Sequence, residues 1–384
     1  MSTQASHHQK LAIVIAGGGV AALETALALA DLAPDLTHVS VIAPNTEFVY
    51  RPMTVREPFA YGAARRYPLQ QLVRNAGAEL LTDELALVDP DNQIVHTKSG
   101  KSIEYGALVL ALGAKAVSRY RHALTIDDRK LDETLHGLIQ DVEGGYTPRI
   151  AFVSPGRMAW PLPLYELALM TAGRAYDMDV NVSITIATPE DEPLAIFGAA
   201  ASGAVGDLLR QAGITMITSA YTEVPSQGHL VINPGDRHLK VGRVVALPEL
   251  YGPSIRGIPL GEHGFIRVNM HGQLPDLGPV YAAGDAVEFP IKHGGIAAQQ
   301  ADVAAESIAA LAGAPIEPQP FHPVIHGMLL TGDKPLYLTA QVTGGHGFSS
   351  EVSDTPTWSP AAKIAARYLA PALEAHDRQA VSAR

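Results

Sequence analysis

Residues 11–23 read Leu11-Ala12-Ile13-Val14-Ile15-Ala16-Gly17-Gly18-Gly19-Val20-Ala21-Ala22-Leu23, and their order decides the fold. The apolar run Leu11 to Ile15 has the length and branching of a buried strand. Three glycines follow, then an alanine- and leucine-rich stretch to Leu32 made of strong helix formers. Pro34 and Asp35 signal a turn, and Val39 to Ile42 form a second strand-like run. Strand, glycine turn, helix and strand in this order open a parallel, doubly wound α/β sheet.

The segment Gly17 to Ala22 also fits the pattern G-x-G-x-x-A. The first glycine permits the tight turn, the second lets backbone approach a pyrophosphate, and a small Ala22 permits close helix–strand packing. A helix that starts there turns free N–H groups and the positive end of its dipole toward an anion. One part of the pattern is different. The second strand runs into Ala43-Pro44-Asn45, with Glu47 offset, where an acidic residue usually holds a ribose hydroxyl. That contact is then absent, taken over by Asn45, or made by backbone.

Outward from this motif the chain repeats the theme. A strand-like run over residues 108–112 ends in Gly113. Another over 149–153 leads through Ser154, Pro155 and Gly156 to a helix-like stretch at 164–172, then to a run at 181–187. This second series reads as another nucleotide-type half inserted into the chain. Near residues 280–285 an apolar strand ends in Gly284-Asp285, and Gly294-Gly295 open a helix over about 296–311. Pro/Gly-rich boundaries fall near 144–148, 248–259 and 315–323. The last sixty residues start strand-like at 335–342 and end in an amphipathic helix-like tail, 360–376, interrupted by Pro371. In that tail Lys363 and Arg367 oppose Ile364, Tyr368 and Leu369. The expected fold is α/β, with two Rossmann-like domains and a small C-terminal α+β region. The boundaries expected are 1–120 with 250–330, 121–249, and 331–384.

Composition narrows the function. The chain has 384 residues, enough for two or three domains. Its net charge is 28 − 39 = −11, against the clustered positive charge a nucleic-acid binder or an anionic-lipid binder needs. Cysteine is absent, which removes disulfides, thiolate metal sites and dithiol redox centres. The polar first ten residues lack a secretory pattern, and no apolar run reaches a membrane span, so a soluble, cytoplasmic protein is expected. His322 and His326 have H-x3-H spacing, but Pro323 lies between them and no acidic third ligand is near. They read as two loop histidines, and no metal site is expected.

Gly17 to Ala22, the 108–114 strand with its Leu112-Gly113-Ala114 end, and Tyr281-Ala282-Ala283-Gly284-Asp285 occur in that order. Together they resemble the FAD-dependent pyridine nucleotide-disulfide oxidoreductase superfamily, in the branch of sulfide:quinone oxidoreductase, flavocytochrome c sulfide dehydrogenase and type II NADH dehydrogenase. The resemblance implies FAD. It implies that Gly17, Gly19 and the Val20 and Ala21 amides hold the pyrophosphate, that Ala43 lies against the adenosine ribose and that the Ala86 backbone meets adenine. Ala111 and Gly113 would close the crossover loop. Gly284 precedes Asp285, which would accept from a ribityl hydroxyl or approach the phosphate. Gly295 and Ile296 would present helix amides to the flavin O2 edge, where reduced flavin carries negative charge. Arg51 and Pro52 sit in the loop that relatives place around the flavin ring. Lys292 could stabilise a reduced anion, and Glu166 resembles a glutamate on the nicotinamide side of the flavin, fit for a proton relay if buried.

The second half departs from relatives that take hydride from NADH. Its loop is Pro155-Gly156-Arg157-Met158-Ala159-Trp160-Pro161-Leu162-Pro163, with one glycine, a tryptophan and prolines that have no N–H to donate. Binding of NAD(P)H there is therefore doubtful. The expected activity is direct transfer between flavin and a small-molecule donor or acceptor without a cysteine relay. Quinone is the acceptor the resemblance implies. Two alternatives stand beside it: an NAD(P)H:acceptor oxidoreductase with an altered loop, and a flavin-binding sensor or interaction protein without catalysis. The resemblance also raises membrane docking through the short tail, against which the acidic charge counts.

Overall fold

The computed structural model describes residues 10–156, 160–343 and 347–382. Its first sheet has five parallel strands in the spatial order Val280–Ala282, Ala107–Leu110, Leu11–Ala16, Thr37–Ala43 and Glu79–Thr82. The central strand is buried along its last four residues, which explains its unbroken apolar run. Helix Val20–Leu32 crosses from it to the next strand, as the sequence implies. A second parallel sheet follows the order Leu124–Thr125, Arg243–Ala246, Arg149–Val153, Ser183–Ala187 and Thr215–Ile217. Helix Leu162–Asp177 crosses from its central strand to Ser183–Ala187. The chain thus leaves the first sheet after Leu110, builds the second, and returns at Val280.

Helix Val20–Leu32 lies against helix Gly294–Leu311 through small buried side chains, among them Ala22, Ala26, Ala301 and Ala304. At one crossing point Gly284, at φ +76°, would place a Cβ 3.1 Å from that of Ala21 and 3.4 Å from that of Ala297. Only glycine admits so close an approach at that backbone angle. A three-stranded antiparallel sheet, Val324–Leu329, Leu336–Thr343 and Gly347–Ser353, packs on the second half.

The tail differs from expectation. Residues 360–368 are not helical, and the last helix is Leu369–Ser382. Pro371 does not interrupt it. Proline in the first turn gives up an N–H that has no intrahelical acceptor. Lys363 and Ile364, read as opposite faces of one amphipathic helix, are both buried, and Leu369 and Leu373 join the first core. Among the described residues, no helix is long and apolar enough to cross a membrane.

Candidate functional site

The site begins where the first crossover turns. Gly17 sits at φ +132°, and a Cβ there would lie 2.1 Å from the carbonyl oxygen of Ala111. Any side chain would break that contact. Gly18 rests on the fully buried Ala43, whose Cβ is 2.9 Å from where a Gly18 Cβ would be. Gly19 caps helix Val20–Leu32, and Gly113 lies at φ +71°. Both face open space, with nothing within 4 Å of an added Cβ. The helix start has no side-chain cap and no acidic residue in its first turn. Its free N–H groups therefore lie beside open space at Gly19 and Gly113.

Helix Gly294–Leu311 supplies a second helix start, packed against Ile364 and Ala365. It also has no side-chain cap and no first-turn carboxylate, and Gly295 and Ile296 lie in its first turn. Between the two helices, Asp285 follows strand Val280–Ala282 in a 3-10 turn. Its carboxylate has no hydrogen-bond partner among the described residues and caps no turn. Burial pushes it up to about 6, against the pull of Lys292. These features form a cradle for a long dianionic ligand with hydroxyls along its middle. FAD fits them: two helix starts for anionic groups, open space where a Cβ would intrude, and an acceptor between.

The other residues singled out in the sequence fall as follows. Ala86 is half-buried on strand Leu85–Asp89, beyond the first sheet's edge strand. Glu47 is exposed and lies 3.6 Å from Arg66. Arg51 is also exposed and reaches Asp128 at 3.1 Å, while the carbonyl of its neighbour Pro52 accepts from Lys363 at 2.7 Å. Lys292 is buried, donates to the Val287 carbonyl and lies 4.0 Å over the Phe265 ring. Burial lowers its ammonium to about 8, with Asp285 and Glu288 opposing. That ammonium is held by structural partners, with Asp285 as its charged neighbour.

Glu166 is fully buried, and its partners come from far along the chain. It accepts from the Leu330 N–H at 2.9 Å and from Lys363 Nζ at 2.8 Å. Burial raises the carboxyl against the lysine's charge, and burial lowers the lysine against the carboxylate. Lys363 thus ties helix Leu162–Asp177 to the Pro52 loop. Its residue type gave no signal, because its partner is 197 positions away.

The second crossover is built differently. Ser154 donates its N–H to Ala187 where Gly17 donates to Ile42, so the two occupy equivalent places after their central strands. From Gly17 the helix cap is the third residue, Gly19. From Ser154 the cap is Pro161, the eighth residue, and Pro163 follows inside the first turn. Arg157, Met158 and Ala159 of this loop lie outside the described residues. Trp160 packs at 5.7 Å from Phe197 and at 4.3 Å from His293. The Tyr221 ring lies 3.1 Å from where a Gly156 Cβ would be. The nearby cavity of about 270 Å³ carries Glu223 and Glu249 beside Arg119.

His293 was not flagged by the sequence. It caps helix Gly294–Leu311, is buried, and leaves Nδ1 without a partner. Burial, then His326 and Lys363, hold its imidazole down to about 3. His326 is not in a loop; it lies on strand Val324–Leu329, 5.0 Å from Trp358. Among the described residues no metal-binding cluster is found.

A glycine-lined first Rossmann half with an inserted second one defines a fold with two dinucleotide-type halves. Residues 2–141 match the family described as pyridine nucleotide-disulphide oxidoreductase. The sulfide-quinone reductase of Aquifex aeolicus (strain VF5) is 25% identical over 260 residues, 63% of this chain and 59% of that protein. The match therefore spans less than two thirds of the relative's length. Among solved structures, the sulfide:quinone oxidoreductase from Aquifex aeolicus has a TM-score of 0.78 at 20% identity, covering 90% of this chain and 87% of that one. A ferredoxin reductase from Rhodopseudomonas palustris has 0.67 at 19%, over 88% and 84%, and an NAD-dependent persulfide reductase from A. fulgidus has 0.61 at 18%, over 87% and 64%. These likenesses show the fold. The family match covers the first crossover half, and the chain that carries it has no cysteine.

Proposed function

We propose that the chain is an FAD-dependent oxidoreductase in which donor and acceptor each react directly at the flavin, with a quinone as acceptor. The carrying observation is the uncapped, glycine-lined helix start at Gly17–Val20, with Gly19 and Gly113 open to the cleft. FAD, when bound, stores two electrons between a donor and an acceptor. The amides of Val20 and Ala21 hold the pyrophosphate, Asp285 accepts a ribityl hydroxyl, and the amides of Gly295 and Ile296 hold the flavin O2 edge. Residues 1–120 with 250–330 form the FAD-binding domain in this reading.

Glu166 and Lys363 are the side chains we assign to proton handling. They form a buried pair against the Pro52 carbonyl. Burial raises Glu166 and the Lys363 charge opposes the rise, so the pair is suited to pass a proton while Lys363 steadies the carboxylate. Quinone comes from the name of the Aquifex relative. Sulfide is not carried over with it, because no cysteine is present to take up sulfur.

NAD(P)H is a poor donor in this reading, since the second crossover offers proline where a pyrophosphate needs N–H groups. The test is an anaerobic flavin spectrum against a panel of donors, followed by reoxidation with a short-chain quinone. We expect a yellow protein that NADH and NADPH leave oxidised and that a quinone reoxidises once reduced. Rapid bleaching by NADH at micromolar concentration restores the altered-loop alternative. Turnover at the free-flavin background with every pair leaves the non-catalytic reading.

A further inference from the structure

Residues 358–368 form a strap without helix or strand, and it is tied down at its end by a carboxylate of helix Val20–Leu32. Glu24 of helix Val20–Leu32 is fully buried. It accepts the backbone N–H groups of Tyr368 at 2.8 Å and Leu369 at 2.6 Å, and so caps the last helix. Asp302 of helix Gly294–Leu311 meets the same carboxyl group. Its Oδ1 is buried with no donor among the described residues. A carboxylate oxygen shut from water without a donor is not stable as an anion, and a hydrogen bond between two carboxyl groups requires a proton on one. We propose that Glu24 and Asp302 share one proton, and that this proton locks the strap over the flavin site.

The strap is placed to act as a cover. Lys363 reaches Glu166 and the Pro52 carbonyl. The Ile364 N–H donates to Tyr50 Oη at 2.8 Å, and the Ala365 carbonyl stands 3.4 Å from where a Gly295 Cβ would be. Beneath it lies a cavity of about 370 Å³, bordered by Asp302, Gln299, His326, Trp358 and Arg367. Ionised Asp302 needs water, and water reaches its buried oxygen when the strap lifts from this cavity. The charged and titratable neighbours are Arg367, which lies 4.0 Å from Glu306, Glu306 itself, His326, and Tyr368, whose hydroxyl is 3.1 Å from Asp31. Arg367 favours the ionised form and Glu306 opposes it.

Burial, then Glu24, hold the Asp302 carboxyl up at about 8. A lifted, hydrated Asp302 returns toward its ordinary range, so the closed form binds the proton more tightly. Closure is therefore favoured at low pH and lost as pH rises through about 8. The device regulates access to the site of the proposed function, and its consequence for catalysis rests on that reading.

The experiment is hydrogen exchange in peptides spanning 358–369 of the full chain supplied with FAD, corrected for intrinsic rates. We expect protection in the strap to fall about tenfold or more between roughly pH 6 and pH 9.5. Asp302→Asn keeps a neutral partner for Glu24 and holds the strap closed at both pH values. Glu24→Gln leaves one acceptor for two N–H groups and opens it at both. Protection that is equal at the two pH values in the unchanged protein overturns the proposal, as does an Asp302→Asn strap that still opens. Exchange is read with or without bound flavin, so a failed lock and a failed flavoprotein reading are distinguishable.

Discussion

The two parallel sheets place their central strands, Leu11–Ala16 and Arg149–Val153, in the same surroundings, each followed in sequence by the strand beside it. They diverge at the next residue. Gly17 takes φ +132° against the Ala111 carbonyl, and the helix starts after Gly19. Ser154 is buried at the equivalent place, and the helix waits until Leu162, behind two prolines and the Trp160 indole. Fold and ligand cradle are thus separable. Strand pairing and the helix that crosses it survive without glycine, whereas the anion site we propose rests on three consecutive residues having no side chain. The second crossover instead joins the halves, since Trp160 packs on His293 at the head of helix Gly294–Leu311.

The largest expected effect comes from making the two crossovers alike. Gly17→Val forces a side chain into the Ala111 carbonyl. FAD content of the purified protein should fall below about a tenth of its original value, with loss of folded yield. Gly156→Ala meets only the ring of exposed Tyr221 and should leave FAD content unchanged. Equal losses for the two, read by flavin absorbance per chain, would erase the distinction.

Next comes the bond between the halves. Lys363→Ala leaves Glu166 buried without its cation, which should cost about 3–5 kcal/mol in chemical denaturation. Pairing it with Glu166→Gln should return much of that loss. A Lys363→Ala cost under about 1 kcal/mol means the pair is not shut from water.

His293 gives a pH-dependent test of the Trp160 contact. Its imidazole stays neutral in the folded chain down to about pH 3, whereas an unfolded histidine protonates below about 6.5. Stability is then lost as pH falls from about 6.5 toward 3, on the order of a few kcal/mol. His293→Phe should flatten that limb of the stability–pH curve measured by urea unfolding.

The smallest change is expected from Trp160→Gly. Pro161, Pro163 and the longer path remain, so flavin reduction by NADH should stay within about twofold of the unchanged protein. A large gain would mean that the indole alone closes the second half.

Much of the frame was legible because its signals are local. The helix at Val20–Leu32 and the strand at Arg149–Val153 have the limits their residue order implies. The glycine turn was readable for the same reason, since turn, cap and helix start occupy neighbouring positions. What escaped depends on distant partners. Glu24 reads as an ordinary helix former, yet it is buried beneath a segment some 345 positions away. Lys363 looked like the polar face of an amphipathic tail, but Glu166 and the Pro52 carbonyl draw it inside. His293 carried no motif and is defined by the indole packed on it.

The most direct measurement is binding stoichiometry, by equilibrium dialysis of the purified chain against FAD and, separately, against NADH. One FAD per chain and no NADH bound at about millimolar concentration is the result that one open and one closed crossover require. A chain that takes up no FAD, or one that holds NADH at micromolar concentration, contradicts it.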